Sequence, residues 1–486
     1  MNTSRKVSLS VLLRVQGLLL FIEGLFMLTV LPVTYFHHGI NAFSMPFAAL
    51  ITVLTGFILT FSTRNKKDQP LNHREGVITI CISWLTLSVF GGLPFLLSKT
   101  VPNFTDAFFE ALSGFTTTGA SILTNVEMVP KDILLWRSMT QWIGGLAIIV
   151  FAVVLIPFLS VGGMQLFMTE MNGINYDKLH PRTMHTAKRL WALYVFFTLL
   201  ETVLLKLGDM GWFDAVCHSM TTLSSGGFST RTSSIEGYSN YSKIVVMFFM
   251  VLSGCNFTLL LIALVRNPKA LLKNEEFRDF IFMILGVGTI ITLALIIMDN
   301  ASVGNALRSS FFNVISALTT TGFFVNDYTM WPVGLWVILL LLVFIGPCSG
   351  SSAGGIKIIR HLIFTKNAFL ELKRIIHPNA LIPVKINQKS LSRNVVFKTL
   401  TFIFVYFLIF VGGAIILLTM GIDFNTSVSA SLATLSNFGK GIGSVGPMGT
   451  YAFLPQAAKW VLAFLMLMGR VELFTLISLF SKNFWK

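Results

Sequence analysis

Residues 113–120 read Ser113-Gly114-Phe115-Thr116-Thr117-Thr118-Gly119-Ala120, a stretch too polar to cross a bilayer yet flanked by long apolar segments. It recurs. Setting Gly119 over Gly227, Gly322 and Gly439 aligns four segments without a gap: DAFFEALSGFTTTGA, DAVCHSMTTLSSGGF, SSFFNVISALTTTGF and TSVSASLATLSNFGK. Each reads as a short helix running into hydroxyl-bearing residues and a glycine. Four such ends meeting at one axis make a ring of backbone carbonyls, which is what a cation pore requires.

The surrounding chain suits that reading. With 486 residues, 54% hydrophobic and 12% charged, it lies outside the soluble globular range. Many of its apolar runs reach the length that spans ~30 Å of hydrocarbon. The chain is therefore expected to be a polytopic membrane protein in contact with the lipid bilayer. A net charge of +15 raises the question of nucleic acid. The basic residues, however, gather in links between apolar runs, as the positive-inside rule requires, so no nucleic-acid partner is expected. Cys81, Cys217, Cys255 and Cys348 show neither CxxC spacing nor a histidine neighbour suited to zinc, and read as buried free thiols. Arg5, Lys6 and Arg14 precede an apolar run with no small-residue cleavage site, which marks an uncleaved first helix.

In chain order, two spans at roughly 12–36 and 43–61 form a hairpin, with Arg64, Lys66, Lys67 and Arg74 beyond it. Then comes a module of span (77–98), short helix ending near Phe115, the segment 116–119, and a second span to about residue 159. The short helix has caps at Asn103, Thr105 and Asp106 and is too short to cross the bilayer. The order returns at 190–207, 213–223, 224–227 and 243–265. It returns again at 280–298, 305–318, 319–322 and a span from Val333, and finally at 395–419, 424–435, 436–439 and 456–480. The glycines stand 108, 95 and 117 positions apart, far beyond solenoid periods, so these are duplicated modules. Lys178, Arg182, Lys188 and Arg189, then Arg266, Lys269, Lys273 and Arg278, then 357–393, then Lys482 and Lys486 all fall on one side with both termini. The expected fold is an all-α integral membrane protein with ten full spans. A hairpin (1–75) precedes four pseudo-symmetric modules (76–185, 186–275, 276–385 and 386–486) around one pore.

The candidate ion site is the set of four columns. The first holds Thr116, Ser224, Thr319 and Ser436; the second Thr117, Ser225, Thr320 and Asn437; the third Thr118, Gly226, Thr321 and Phe438; the last Gly119, Gly227, Gly322 and Gly439. Glycine accepts positive φ, which lets successive carbonyls turn the same way, and the negative ends of four helix dipoles favour a cation between them. No column carries a ring of Asp or Glu, so a dehydrated monovalent cation fits better than calcium. The bland alternative is small-residue packing between helices.

Two features lie beyond the columns. The span from Val333 breaks at Gly346-Pro347-Cys348-Ser349-Gly350-Ser351-Ser352-Ala353-Gly354-Gly355 before helical pattern resumes at Ile356. Glycine and proline at this density end a helix ~20 Å in, at 1.5 Å per residue, which is membrane depth. The segment reads as a loop obstructing the pore, or else a static kink. Arg470 sits in the last span, where a charge costs about 2.5–3.5 kcal/mol. Glu472, two positions on, points off another face. Arg470 therefore faces a wet, carbonyl-lined cavity and opposes cations, or pairs with another helix. Lys440 is a similar case that could instead snorkel outward. Glu23 and Glu201 are intramembrane carboxylates to which no role attaches. The histidines form no HExxH pair, and GxSxG and Walker patterns are missing, so no enzyme is expected. The rivals are a secondary transporter with a midplane site, coupling a cation or solute to proton or sodium symport, and a membrane hydrolase using Ser349 or Ser351.

These modules, the extra N-terminal pair, GPCSGSSAGGIKIIR in the third module and GRVELFTL near the end resemble, over essentially the whole chain, the Trk/Ktr/HKT superfamily of potassium transporters, most closely its bacterial TrkH type. The resemblance implies potassium as the transported substrate, no organic cofactor, and an inner-membrane location. Gly119, Gly227, Gly322 and Gly439 become filter glycines. The first of them is Ser in sodium-preferring plant relatives, so glycine there implies potassium. The 346–355 segment becomes a gate with Arg470 beside it. The resemblance also implies a homodimer on a cytosolic, nucleotide-binding TrkA-type ring docked against 357–393 and the other inner links. The strand Asn437-Phe438-Gly439-Lys440 departs most from the others.

Overall fold

Four short helices, Phe104–Phe115, Trp212–Leu223, Val303–Leu318 and Phe424–Leu435, form where the repeat places them, within a residue or two of the expected bounds. The computed structural model describes residues 8–36, 43–64, 73–155, 179–265, 267–380 and 382–485. Arg5, Lys6, Lys66, Lys67, Lys178, Arg266 and Lys486, counted among the inner basic residues, lie outside the described residues, and so does 156–159 of the second span of the first module.

Polar side chains open two of the short helices: Asn103 accepts from the Thr105 amide at 3.1 Å and Asp423 from the Thr426 amide at 2.9 Å. Each capped amide is one that the helix itself leaves without a partner. Every short helix packs against the long helix preceding it, namely His73–Gly91, Leu179–Leu207, Glu275–Met298 and Arg393–Thr419 in turn. Each also packs against the helix that leaves the previous repeat. Lys131–Leu155 lies on the second short helix, Asn240–Gly254 on the third, Val333–Ile345 on the fourth, and Gln456–Val471 on the first. The last contact closes the order into a circle. The N-terminal pair Leu9–Phe36 and Ser44–Ser62 packs outside it, with Gly17, Gly24 and Gly56 at the crossing, where small residues let backbones approach.

The returning helices are less regular than the sequence suggests. Among the described residues six helices are long and apolar enough to cross a membrane, or seven if one sharply bent pair is a single span. The expected span 243–265 is a pair, Asn240–Gly254 and Phe257–Val265, bent by 102°. At that break Cys348 and Gly350 of the 346–355 segment bond across: the Cys348 amide donates to Gly254 O at 3.1 Å and the Phe257 amide to Gly350 O at 3.2 Å. The span 456–480 stops at Val471, where Glu472 takes φ +69°, and resumes as Leu473–Ser478. Glu472 is held there by both carboxylate oxygens on the Arg360 guanidinium, at 3.0 and 2.9 Å. After the 346–355 break the helix resumes at Ile358 rather than Ile356. The all-α expectation meets one small exception, a hairpin pairing Lys385–Ile386 with Lys389–Ser390. It turns on Asn387 and Gln388, both at positive φ, the geometry that tight hairpins favour.

Candidate functional site

All four short helices end in the same way. The amide of the third-column residue reaches back to the carbonyl five residues earlier: Thr118 to Ser113 at 2.8 Å, Gly226 to Thr221 at 2.9 Å, Thr321 to Ser316 at 2.9 Å and Phe438 to Ala433 at 2.8 Å. The second-column amide reaches back three residues, from Thr117 to Gly114, Ser225 to Thr222, Thr320 to Ala317 and Asn437 to Thr434. This is a Schellman cap, whose pivotal residue is left-handed and ordinarily glycine. Here the pivots are Thr117, Ser225, Thr320 and Asn437, at φ +52°, +54°, +51° and +53°. A β-branched residue in that region costs on the order of 1–3 kcal/mol, and such strain gathers at functional sites. Sequence reasoning assigned positive φ only to the glycines and missed these pivots, because no glycine marks them.

The glycines that follow, at φ +79°, +73°, +85° and +75° for Gly119, Gly227, Gly322 and Gly439, join the segments to one another. A Cβ on Gly119 would lie 2.2 Å from Gly226 O, on Gly227 1.9 Å from Thr321 O, on Gly322 2.4 Å from Phe438 O, and on Gly439 2.2 Å from Thr118 O. Each glycine thus faces the third-column carbonyl of the next segment, and the fourth returns to the first. All sixteen predicted column residues therefore come together, in cyclic order one to four. Thr116, Thr117, Thr118, Ser224, Ser225, Thr319, Thr320, Thr321, Ser436 and Asn437 are all fully buried.

Side chains hold the segments by different means. The hydroxyls of Thr116 and Thr118 stand 2.8 Å apart, as do those of Thr319 and Thr321. Ser436 is held by the Tyr406 hydroxyl at 2.8 Å. Asn437 donates to Thr118 Oγ1 at 2.9 Å and to Met466 O at 3.0 Å. Outside the first two segments, Arg137 Nε donates to Glu110 at 2.7 Å, stacks 3.5 Å from the Phe228 ring centroid and donates to Ser229 O at 3.0 Å. Glu110 also accepts the Ile122 amide at 2.7 Å. The sequence reading missed Glu110, Arg137, Tyr406 and Gln141. Glu110 and Arg137 carried a usable signal, since ionisable residues between apolar runs persist only when paired.

The 346–355 segment lies against the same ring. The Gly354 amide donates to Thr320 Oγ1 at 2.9 Å, and a Cβ on Gly354 would stand 2.0 Å from Ser436 O. Ser352 Oγ donates to Leu223 O at 3.0 Å and meets Ser225 Oγ at 3.3 Å. At its far end, Ser349 donates through its amide and hydroxyl to Glu276 at 2.6 and 2.8 Å. Lys357 donates to Ser351 Oγ and to Ala353 O. Arg470 completes the fastening: Nη1 donates to Ser352 O at 2.7 Å and Nη2 to Gly144 O at 3.0 Å. Its partners are carbonyls, and Glu472 instead serves Arg360. Lys440 reaches Gly449 O at 3.4 Å and lies 5.6 Å from the Phe324 ring centroid. Glu23 is buried against Gly91, with neither carboxylate oxygen hydrogen-bonded to a described residue. Cys81, Cys217, Cys255 and Cys348 are all buried.

Residues 43–486 match the TrkH family, described as cation transport protein. The Trk system potassium uptake protein TrkH of Salmonella typhimurium is 39% identical over 484 residues, covering 97% of this chain and 98% of that one. TrkG of Escherichia coli K12 is 35% identical over 490 residues, covering both chains completely. The crystal structure of the potassium transporter TrkH from Vibrio parahaemolyticus superposes with a TM-score of 0.89 at 34% identity, covering 98% of this chain and 99% of that one. The chain therefore belongs to the TrkH family, a family of cation transporters and not of enzymes.

Proposed function

We propose that this chain is a potassium uptake protein of the bacterial inner membrane, and that the four columns of residues are its selectivity filter. One observation carries the reading: four strained, identically capped segments meet in closed cyclic order, each glycine against the next segment's carbonyl. Carbonyls presented by such a ring replace the hydration shell of a monovalent cation, and potassium is the ion in the relatives' names. The repeats 76–185, 186–275, 276–385 and 386–486 are four modules around that pore, and 1–75 is a hairpin outside them. Ion entry follows the membrane potential, worth ~2.3 kcal/mol per charge per 100 mV.

The segment 346–355 is the gate, and the hydrogen bonds that fasten it under the ring are those of a closed state. The inner links, 357–393 among them, face the cytosol with both termini and receive a nucleotide-binding regulatory subunit, as the word "system" in the relatives' names suggests. The transporter works as a homodimer. The rival reading of solute symport gains no observation in its favour.

The test is rubidium uptake by cells without other potassium systems. Gly119→Ala and Gly322→Ala put a methyl 2.2 and 2.4 Å from a backbone oxygen of the next segment, at φ that alanine resists. Uptake should collapse and sodium should compete better. Unchanged uptake and unchanged selectivity in both variants would refute the assignment.

A further inference from the structure

The four segments form a ring with an internal inequality. Segments one and three, which face each other in the cyclic order, carry matching threonine clasps between columns one and three, each 2.8 Å. Segment two cannot, because its third column is Gly226. The space a side chain there would need is taken: a Cβ on Gly226 would lie 2.3 Å from Gln141 Cδ and 2.4 Å from its Oε1. Gln141 comes from Lys131–Leu155, the helix that leaves the first repeat, and is fully buried. Its amide bonds the peptide groups on either side of Gly227: Nε2 donates to Gly226 O at 2.8 Å, and Oε1 accepts from the Phe228 amide at 3.1 Å. Among the four third-column carbonyls, Gly226 O is the one to which a described side chain donates.

We infer that Gln141 is a positioning residue for ion discrimination: it holds the second segment in register and draws on a carbonyl that the other three segments leave to the ion. The inference rests on the filter reading. A carbonyl that already accepts an N–H offers a weaker field to a cation, and the number and field strength of the carbonyls govern which cation is preferred. The ring is thus not fourfold in its chemistry: segments one and three carry threonine clasps, and segment two is held through its backbone by glutamine from outside.

The experiment uses the full chain in liposomes and reads the potassium-to-sodium permeability ratio under bi-ionic conditions. Gln141→Met keeps the bulk and removes both hydrogen bonds; Gln141→Leu removes them with a branched side chain. The ratio should shift about three- to tenfold in both, the size expected for one buried hydrogen bond. A merely structural glutamine would lower the amount of inserted protein and leave the ratio alone. Gly227→Ala, whose methyl would stand 1.9 Å from Thr321 O, serves as the filter control and should lose flux, or selectivity where flux remains. Such a loss in Gly227→Ala with no shift in the Gln141 variants overturns the inference and leaves the filter standing. Unchanged flux and ratio in all three overturn both. A rescue pair decides the matter if Gln141→Met does not insert. Gly226→Thr alone should abolish flux by colliding with Gln141. Adding Gln141→Ala should restore it, by opening room for a Ser224 clasp like that of Thr116 and Thr118. A double variant no better than the single one overturns the inference.

Discussion

Arg470 offers the sharpest perturbation of the proposed gate. The side chain is 5% exposed, has no acidic partner among the described residues, and ties Ser352 O of the 346–355 segment to Gly144 O of a neighbouring helix. Those two carbonyls differ in what they lose when the arginine goes. Gly144 lies inside Lys131–Leu155, where its carbonyl also serves the helical amide four residues on. Ser352 lies outside any helix and is fully buried, so Arg470→Met leaves its oxygen without a donor, at about 1–3 kcal/mol. That cost falls on the closed arrangement alone, because an open segment exposes the carbonyl to water. The open-to-closed ratio should therefore rise about 5- to 150-fold. Removing a positive charge from beneath the ring works in the same direction. Potassium flux into liposomes containing the chain by itself should rise accordingly, until the open fraction saturates. Arg470→Lys, with one ammonium in place of a fork, cannot span both carbonyls and should fall between. Flux that stays level or falls in Arg470→Met, at equal incorporation, refutes this account and makes the residue a structural brace.

The other end of the segment is held by Glu276, so Glu276→Ala, which frees the amide and hydroxyl of Ser349, should also raise flux without the regulatory partner, and should leave the potassium-to-sodium ratio unchanged. Asp423 caps the fourth short helix, and the hydrogen bonds from Thr426 hold its carboxyl below the usual range. A depressed folded value stabilises the protein above the unfolded value of about 3.9 and is lost as pH falls through the folded one. Asp423→Ala should therefore lower thermal stability in detergent by about 1 kcal/mol at neutral pH, with the difference from wild type shrinking below about pH 4.

What could be read beforehand follows the range of the forces involved. The short helices were legible because their caps and their terminal hydroxyl–glycine runs are local, and the fourfold recurrence fixed their register. The breaks at 254–256 and at Glu472 were not. Gly254 is a single glycine in an apolar run, and the bend there is fixed by bonds from Cys348 and Gly350, nearly a hundred residues away. Glu472 is no helix breaker, and its positive φ goes with an ion pair to Arg360, 112 positions distant. Gln141 was invisible for a similar reason: in sequence it is one polar residue in a span, and its meaning depends on which segment the helix packs against. The hairpin at 385–390 turns on Asn-Gln rather than the Asn-Gly that announces such turns.

The second column shows why a strained conformation is kept where glycine would be easy. A glycine at 117, 225, 320 or 437 would relieve the backbone and preserve the Schellman cap. At three of the four positions the side chain has a task that glycine would abandon. Thr320 Oγ1 accepts the Gly354 amide, Ser225 Oγ meets Ser352 Oγ, and Asn437 bonds both Thr118 and Met466. Two of these contacts reach the 346–355 segment and the third reaches the adjoining first segment. The left-handed turn is what aims them there, since a right-handed residue would continue the helix and carry its side chain round the axis. Thr117 alone has a buried hydroxyl with no partner, so its strain is not offset by a side-chain hydrogen bond. The strain at Ser225 and Thr320 is therefore balanced against contacts with the 346–355 segment, and the backbone of the ring and the position of that segment share those hydrogen bonds.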